Sequence, residues 1–117
     1  MGWFDLIYTA EDDALEVSFQ PFEQRLARSL ALNDHIYLFT DPSLRNVWGL
    51  TFYAYSQLLG VNETEFTGLR ELANEEVTAI LELLVLPPAR HFIELTNPEG
   101  LIARVLAPGL QELVMET

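Results

Sequence analysis

The chain has 117 residues, half of them hydrophobic, with six basic and eighteen acidic side chains and a formal net charge of −12. That length suits one domain, at ~100–200 residues per domain, and the apolar content excludes intrinsic disorder. There is no cysteine and no lysine, which excludes disulfides, thiolate chemistry, Cys-type zinc sites, Schiff bases and a P-loop.

Residues 3–8 are rich in aromatic and β-branched types and predict extended chain. Leu15, Val17 and Phe19 alternate with Glu16, Ser18 and Gln20, the period-2 pattern of a half-buried strand. The acidic stretch 9–13 between them predicts the loop of a hairpin. Pro21 suits a first helical turn. Phe22, Leu26, Ala27 and Leu30 then share one face of a helix expected to run to about Asn33, with Glu23, Gln24, Arg25 and Arg28 opposite. Residues 35–40 have strand composition. Asp41-Pro42 pairs a residue able to accept backbone N–H bonds with a proline suited to the first helical position. It predicts a helix to Leu59, with Gly60 as C-cap.

Asn62 and Glu65 have the spacing of a capping box. Helical pattern continues from there to about Leu86, broken near Gly68 or restarted at Asn74, and Pro87-Pro88 ends it. Residues 91–96 and 101–106 predict two strands around the turn Asn97-Pro98-Glu99-Gly100. Pro108-Gly109 precedes a short closing helix at 110–115. The expected order is β-β-α-β-α-α-β-β in a single domain, residues 1–117. Its class is α+β, a mostly antiparallel sheet packed against two or three helices. From residue 21 onward the order helix, strand, two helices and hairpin resembles a winged-helix domain. Members of that family meet DNA through basic residues on the wing and recognition helix. The corresponding segments here carry Glu94 and Glu99, and Glu71, Glu75, Glu76 and Glu82.

The residues able to do chemistry are few. Glu11, Asp12 and Asp13 offer oxygen ligands for a hard cation but lack the alternating pattern of an EF-hand; the simpler reading is a solvated turn. Asp34-His35 is an Asp–His pair, yet neighbours on a strand point to opposite faces. His91, beside Arg90, is the second and last histidine, too few for a His-rich metal centre. No nucleophile elbow, H-E-x-x-H pair or Gly-rich phosphate loop occurs. No catalytic residue, metal or cofactor is expected.

Residues 44–59 are the most informative segment. At 100° per residue Leu44, Val47, Trp48, Thr51, Tyr55, Leu58 and Leu59 form one stripe, with Leu50, Phe52, Tyr53 and Ala54 partly outside it. A helix apolar nearly all round is either buried centrally or covered by a partner. On this reading Trp48 belongs to the core, while Phe52 and Tyr53 face a partner. Residues 75–86 repeat the theme with Val77, Ile80, Leu81, Leu84 and Val85. Two wide apolar helices predict a homo-oligomer or a subunit of a complex.

The six arginines are scattered, and a field of −12 repels phosphate backbones and anionic membranes. Direct nucleic-acid binding is not expected, and no apolar run reaches the ~20 residues of a membrane span. The expectation is a cytoplasmic, non-enzymatic interaction module binding a protein with a basic surface, as an adaptor, assembly factor or small subunit. The alternative is a nucleic-acid-mimicking inhibitor, with Glu63, Glu65, Glu71, Glu75, Glu76 and Glu82 as the phosphate-like array. A small enzyme with a carboxylate–histidine site ranks third.

Overall fold

The computed structural model describes residues 5–61 and 63–107. Strands β1 (Asp5–Thr9) and β2 (Ala14–Ser18) form the expected hairpin, followed by β3 (Arg28–Ala31), β4 (Ile36–Thr40) and β5 (Val47–Phe52). These five make one antiparallel sheet in the order β1-β2-β5-β4-β3. A short helix α1 (Tyr55–Leu59) and strand β6 (Thr64–Glu65) lead into helix α2 (Asn74–Leu84). Strands β7 (Ile93–Asn97) and β8 (Ile102–Val105) then complete a second sheet in the order β6-β8-β7. The fold is α+β, a five-stranded antiparallel sheet with a smaller sheet and two helices.

The register explains the core. Val17, Leu50, Leu38 and Leu30 lie in one cross-strand row, and Leu15, Phe52 and Ile36 in the next. All seven are buried, together with Phe66, Leu69, Ile80, Leu84, Phe92 and Ile93 from the later elements. Phe92 bridges the layers, its ring centroid 5.9 Å from Phe19 and 6.4 Å from Phe52.

Of two predicted helices, one is absent and the other survives only as its last turn, α1. Residues 21–33 hold a 3-10 turn at Gln24–Leu26 and then β3. Leu30 and Leu32 are buried while Ser29 and Ala31 are exposed, a period of two, and Leu26 is 56 % exposed. Residues 41–54 likewise form a hairpin loop and β5. Asp41 does accept backbone N–H bonds, from Arg45 and Asn46 at 2.7 Å each. Its side chain therefore closes the β4–β5 loop and starts no helix; with Ser43 Oγ also donating at 2.5 Å, this is turn chemistry of the Asx kind. Residues 47–52 of the apolar segment are a central strand covered on both sides. Gly60 does cap α1, following the left-handed Ala54 (φ 55°) that separates β5 from the helix.

Gly49 and Gly68 show why the sheet closes as it does. A Cβ on Gly49 would lie 2.7 Å from the Val17 carbonyl oxygen and 3.1 Å from the Phe22 ring. The link from β2 to β3 thus crosses the face of the sheet turned away from the core, with Phe22 laid over Gly49. On the same face a bulge sets Thr40 opposite Val47, so Trp48 is the extra residue. Trp48 packs there against Phe22, with ring centroids 5.8 Å apart, and is half-buried. It belongs to this outer cluster with Phe39 and not, as expected, to the main core.

The capping-box helix from Asn62 is also absent. Thr64–Glu65 pairs with β8 and Thr67–Glu71 is a 3-10 turn, while Asn62 lies outside the described residues. Gly68 donates its amide to the Leu32 carbonyl at 2.9 Å, and a Cβ there would sit 1.9 Å from the Ala31 oxygen. That contact fastens the turn under β3 and buries Phe66 and Leu69 on either side. Helix α2 restarts at Asn74 as one of the two expected options, with Glu75 and Glu76 in the first turn, where the helix dipole favours negative charge. The closing hairpin matches its turn signal: Asn97 Oδ1 accepts the Gly100 amide at 3.1 Å. With strands where two of its helices should be, the winged-helix order does not hold. The closing helix expected at 110–115 lies outside the described residues.

Candidate functional site

The expected site residues are scattered over the fold. Phe52 is fully buried between Leu15 and Ile36 and offers no surface, because the strand alternation turns it inward. Tyr53, the next residue, points the other way and is 46 % exposed, its ring edge-on to Tyr37 with centroids 5.8 Å apart. Glu65 on β6 pairs with Arg70 at 2.7 Å, and Glu76 on α2 with Arg28 of β3. The arginine beside Glu76 holds its carboxyl below the usual glutamate range. Glu63, Glu71, Glu75 and Glu82 are exposed. Glu75 and Glu82 lie seven residues apart on α2 and so share its solvent face, about 10 Å apart along the axis.

The acidic run 11–13 divides in two. Glu11 and Asp12 are exposed, whereas Asp13 adopts a left-handed conformation (φ 49°) and turns toward α1. Its carboxylate accepts the Tyr8 hydroxyl at 2.7 Å, the Ser56 hydroxyl at 2.7 Å and the Ser56 amide at 3.1 Å, and its carbonyl accepts the Tyr55 amide at 2.9 Å. Asp13 therefore caps α1 from a different loop, supplying the acceptor that Ala54 cannot. The bonds from Tyr8 and then Ser56 hold its carboxyl below the ordinary aspartate range, and the same bond to Asp13 raises the Tyr8 hydroxyl. Among the described residues no three His, Asp or Glu side chains converge as metal ligands do.

Asp34 and His35 are both exposed in the β3–β4 turn. The second histidine lies elsewhere. An open cavity of about 470 Å³ is lined, among the described residues, by Arg90, His91, Leu106 and Ala107. Tyr55 secures its wall by donating its hydroxyl to the Leu106 carbonyl at 3.0 Å, and burial raises that hydroxyl above the usual tyrosine range.

The most distinctive surface is β1, which the residue-type reading did not single out as a site. All five of its residues are exposed, and Leu6, Ile7 and Tyr8 are exposed by 44, 50 and 51 % in succession. It pairs with β2 without interruption, from Asp5 opposite Ser18 to Thr9 opposite Ala14. Among the described residues no strand lies on its other side. Leu6 and Tyr8 extend the rows of Val17 and Leu15 past the reach of the second layer, while Ile7 shares the outer face with Glu16. The sequence signal was the run Leu6-Ile7-Tyr8 itself, since large apolar residues in succession make both faces of a strand apolar.

No helix among the described residues is long and apolar enough to cross a membrane. No protein-family model matches the chain, and no curated protein or solved structure is similar enough to count as a match. The class this fold and surface define is a small acidic α+β domain whose apolar β1 edge pairs with no further strand among the described residues.

Proposed function

We propose that this chain is a non-enzymatic protein-interaction module, acting as an adaptor, an assembly factor or a small subunit of a complex. The observation that carries the reading is β1, with three large apolar side chains in a row half exposed on a sheet edge. Natural proteins blunt or cover such edges, because the unpaired backbone and apolar surface recruit other chains. The net charge of −12 supports a basic partner, steering encounter and discouraging acidic competitors. The nucleic-acid-mimic reading has weaker support, since Glu65 and Glu76 are drawn into arginine pairs and, of the other four, only Glu75 and Glu82 share an element.

The test is affinity capture from source-cell lysate with the full chain as bait, run beside Ile7→Lys. A protein retained in stoichiometric amount by the parent chain and lost with Ile7→Lys is the expected result. The same proteins retained by both baits, or none by the parent, overturns the reading.

A further inference from the structure

Resting on that interaction reading, we infer that β1 receives an extended segment of another protein as a sixth strand of the large sheet, and that this segment has an apolar centre flanked by arginine or lysine. The backbone provides the first support. Among the described residues β1 is the terminal strand, and an edge strand presents N–H and C=O groups that an incoming strand pairs. The devices that ordinarily block such pairing include charged side chains, proline and bulges. Asp5 at the strand's end is the one charge in Asp5–Thr9, which has no proline, and the β1–β2 register runs unbroken.

The side chains provide the second. An added strand would meet Leu6 and Tyr8 on one face and Ile7 on the other, so both of its own faces gain cross-strand apolar contact. The centre of the incoming segment is therefore apolar or β-branched at successive positions.

Charge selects the occupant. Residues 5–20 contain five acids and no base. Asp13 is committed to α1, which leaves Asp5 at one end of the strand, Glu11 and Asp12 exposed in the turn at the other, and Glu16 beside Ile7. A second copy of this chain would bring the same four carboxylates to the same edge. Antiparallel self-pairing centred on Ile7 directs each Asp5 toward the acidic turn of the other copy. Facing like charges destabilise strand pairs, whereas basic residues at the ends of a foreign segment meet carboxylates at both ends of β1.

The experiment titrates the isotope-labelled full chain with a blocked peptide, Arg-Thr-Val-Thr-Val-Thr-Val-Thr-Arg, followed by NMR and amide exchange. The same peptide with glutamate at both ends is the control. The expected result is shift changes and slowed exchange concentrated in β1, with the acidic-ended peptide about tenfold weaker and the difference shrinking as salt rises. Equal affinity for the two peptides, no binding of the basic one, or changes away from β1 overturns the inference. So does a concentration-dependent dimer in sedimentation that Ile7→Lys abolishes, which assigns the edge to a second copy. Because the two peptides are compared on the parent chain, the result does not depend on any variant folding. If neither peptide binds while Ile7→Lys still loses its captured protein, strand addition fails and the interaction reading stands. If the captured proteins are unchanged in Ile7→Lys, the interaction reading fails first.

Discussion

The centre of the large sheet and its β1 edge are built from similar residues and meet opposite fates. Leu15, Val17, Ile36, Leu38, Leu50 and Phe52 are buried, while Leu6 and Tyr8, in the same cross-strand rows, remain about half exposed. The difference is not in hydrophobicity. The second layer, formed by α2, the small sheet and the turn around Phe66 and Leu69, covers the central strands and stops short of β1. Burial of a side chain contributes on the order of 1.5–3 kcal/mol relative to exposure, so a row of leucines stabilises the fold only where another layer meets it. Among the described residues, Leu6, Ile7 and Tyr8 are what that layer leaves uncovered.

The largest expected effect lies at the centre. Phe52→Ala removes a fully buried ring that touches Tyr55 and Phe92 and should cost about 3–5 kcal/mol in urea unfolding. A cost below about 1 kcal/mol would mean that the centre is no better packed than the edge.

Gly68→Ala tests how the second layer is fastened. The added methyl meets the Ala31 carbonyl, which is backbone and cannot swing aside. A loss of about 3 kcal/mol is expected, at the upper end of ordinary overpacking, read from the same urea curves.

The third test concerns the junction between hairpin and helix. Asp13, Asp41 and Glu76 all have carboxyl pKa values lowered in the folded chain. For Asp41 burial acts the other way and is outweighed by the bonds from Ser43, Asn46 and Arg45. A carboxyl with a lowered folded pKa binds protons more weakly than it does unfolded. Its stabilisation is complete above the unfolded value of about 4 and is lost as pH falls through the folded value. The urea midpoint should therefore fall from pH 5 toward pH 3 (both about one unit from that value), and Asp13→Asn should flatten part of the slope. An unchanged slope in Asp13→Asn would show that the cap on α1 contributes nothing.

The smallest effect belongs to the edge. Ile7→Thr keeps β propensity and should change stability by under about 0.5 kcal/mol, as surface substitutions do, while weakening partner binding. A cost like that of Phe52→Ala would show that β1 is part of the core, erasing the contrast between the two regions.

Much of the outline was legible residue by residue. Strict alternation in 15–19 identified β2, and the Asn97-Pro98-Glu99-Gly100 turn identified the β7–β8 hairpin. The stripe Val77, Ile80, Leu81, Leu84 identified α2, where spacings of three and four exclude a strand. Errors came where apolar residues recur every four positions. Phe22, Leu26 and Leu30, or Leu44 and Trp48, share a face in a helix of 3.6 residues per turn and equally in a strand of period two. The spacing of four cannot separate them, and the β-forming composition of Val47–Phe52 was the better guide. The exposed edge was visible as the run Leu6-Ile7-Tyr8, but not the fact that no other described residue covers it.

Composition, charge and local periodicity by themselves determined the α+β class, the acidic surface, the first and last hairpins and the main helix. Each of these depends on neighbours within a few residues or on a sum over the chain. Tertiary structure decided that 28–31 and 47–52 are strands, that Asp13 caps a helix more than forty residues away in sequence (its bonds to Ser56 span 43 positions), and which apolar rows are sealed. A strand's hydrogen bonds go to another segment, as β5's go to β2 and β4, and coverage depends on how far the second layer extends. Neither quantity exists until distant parts of the chain have met.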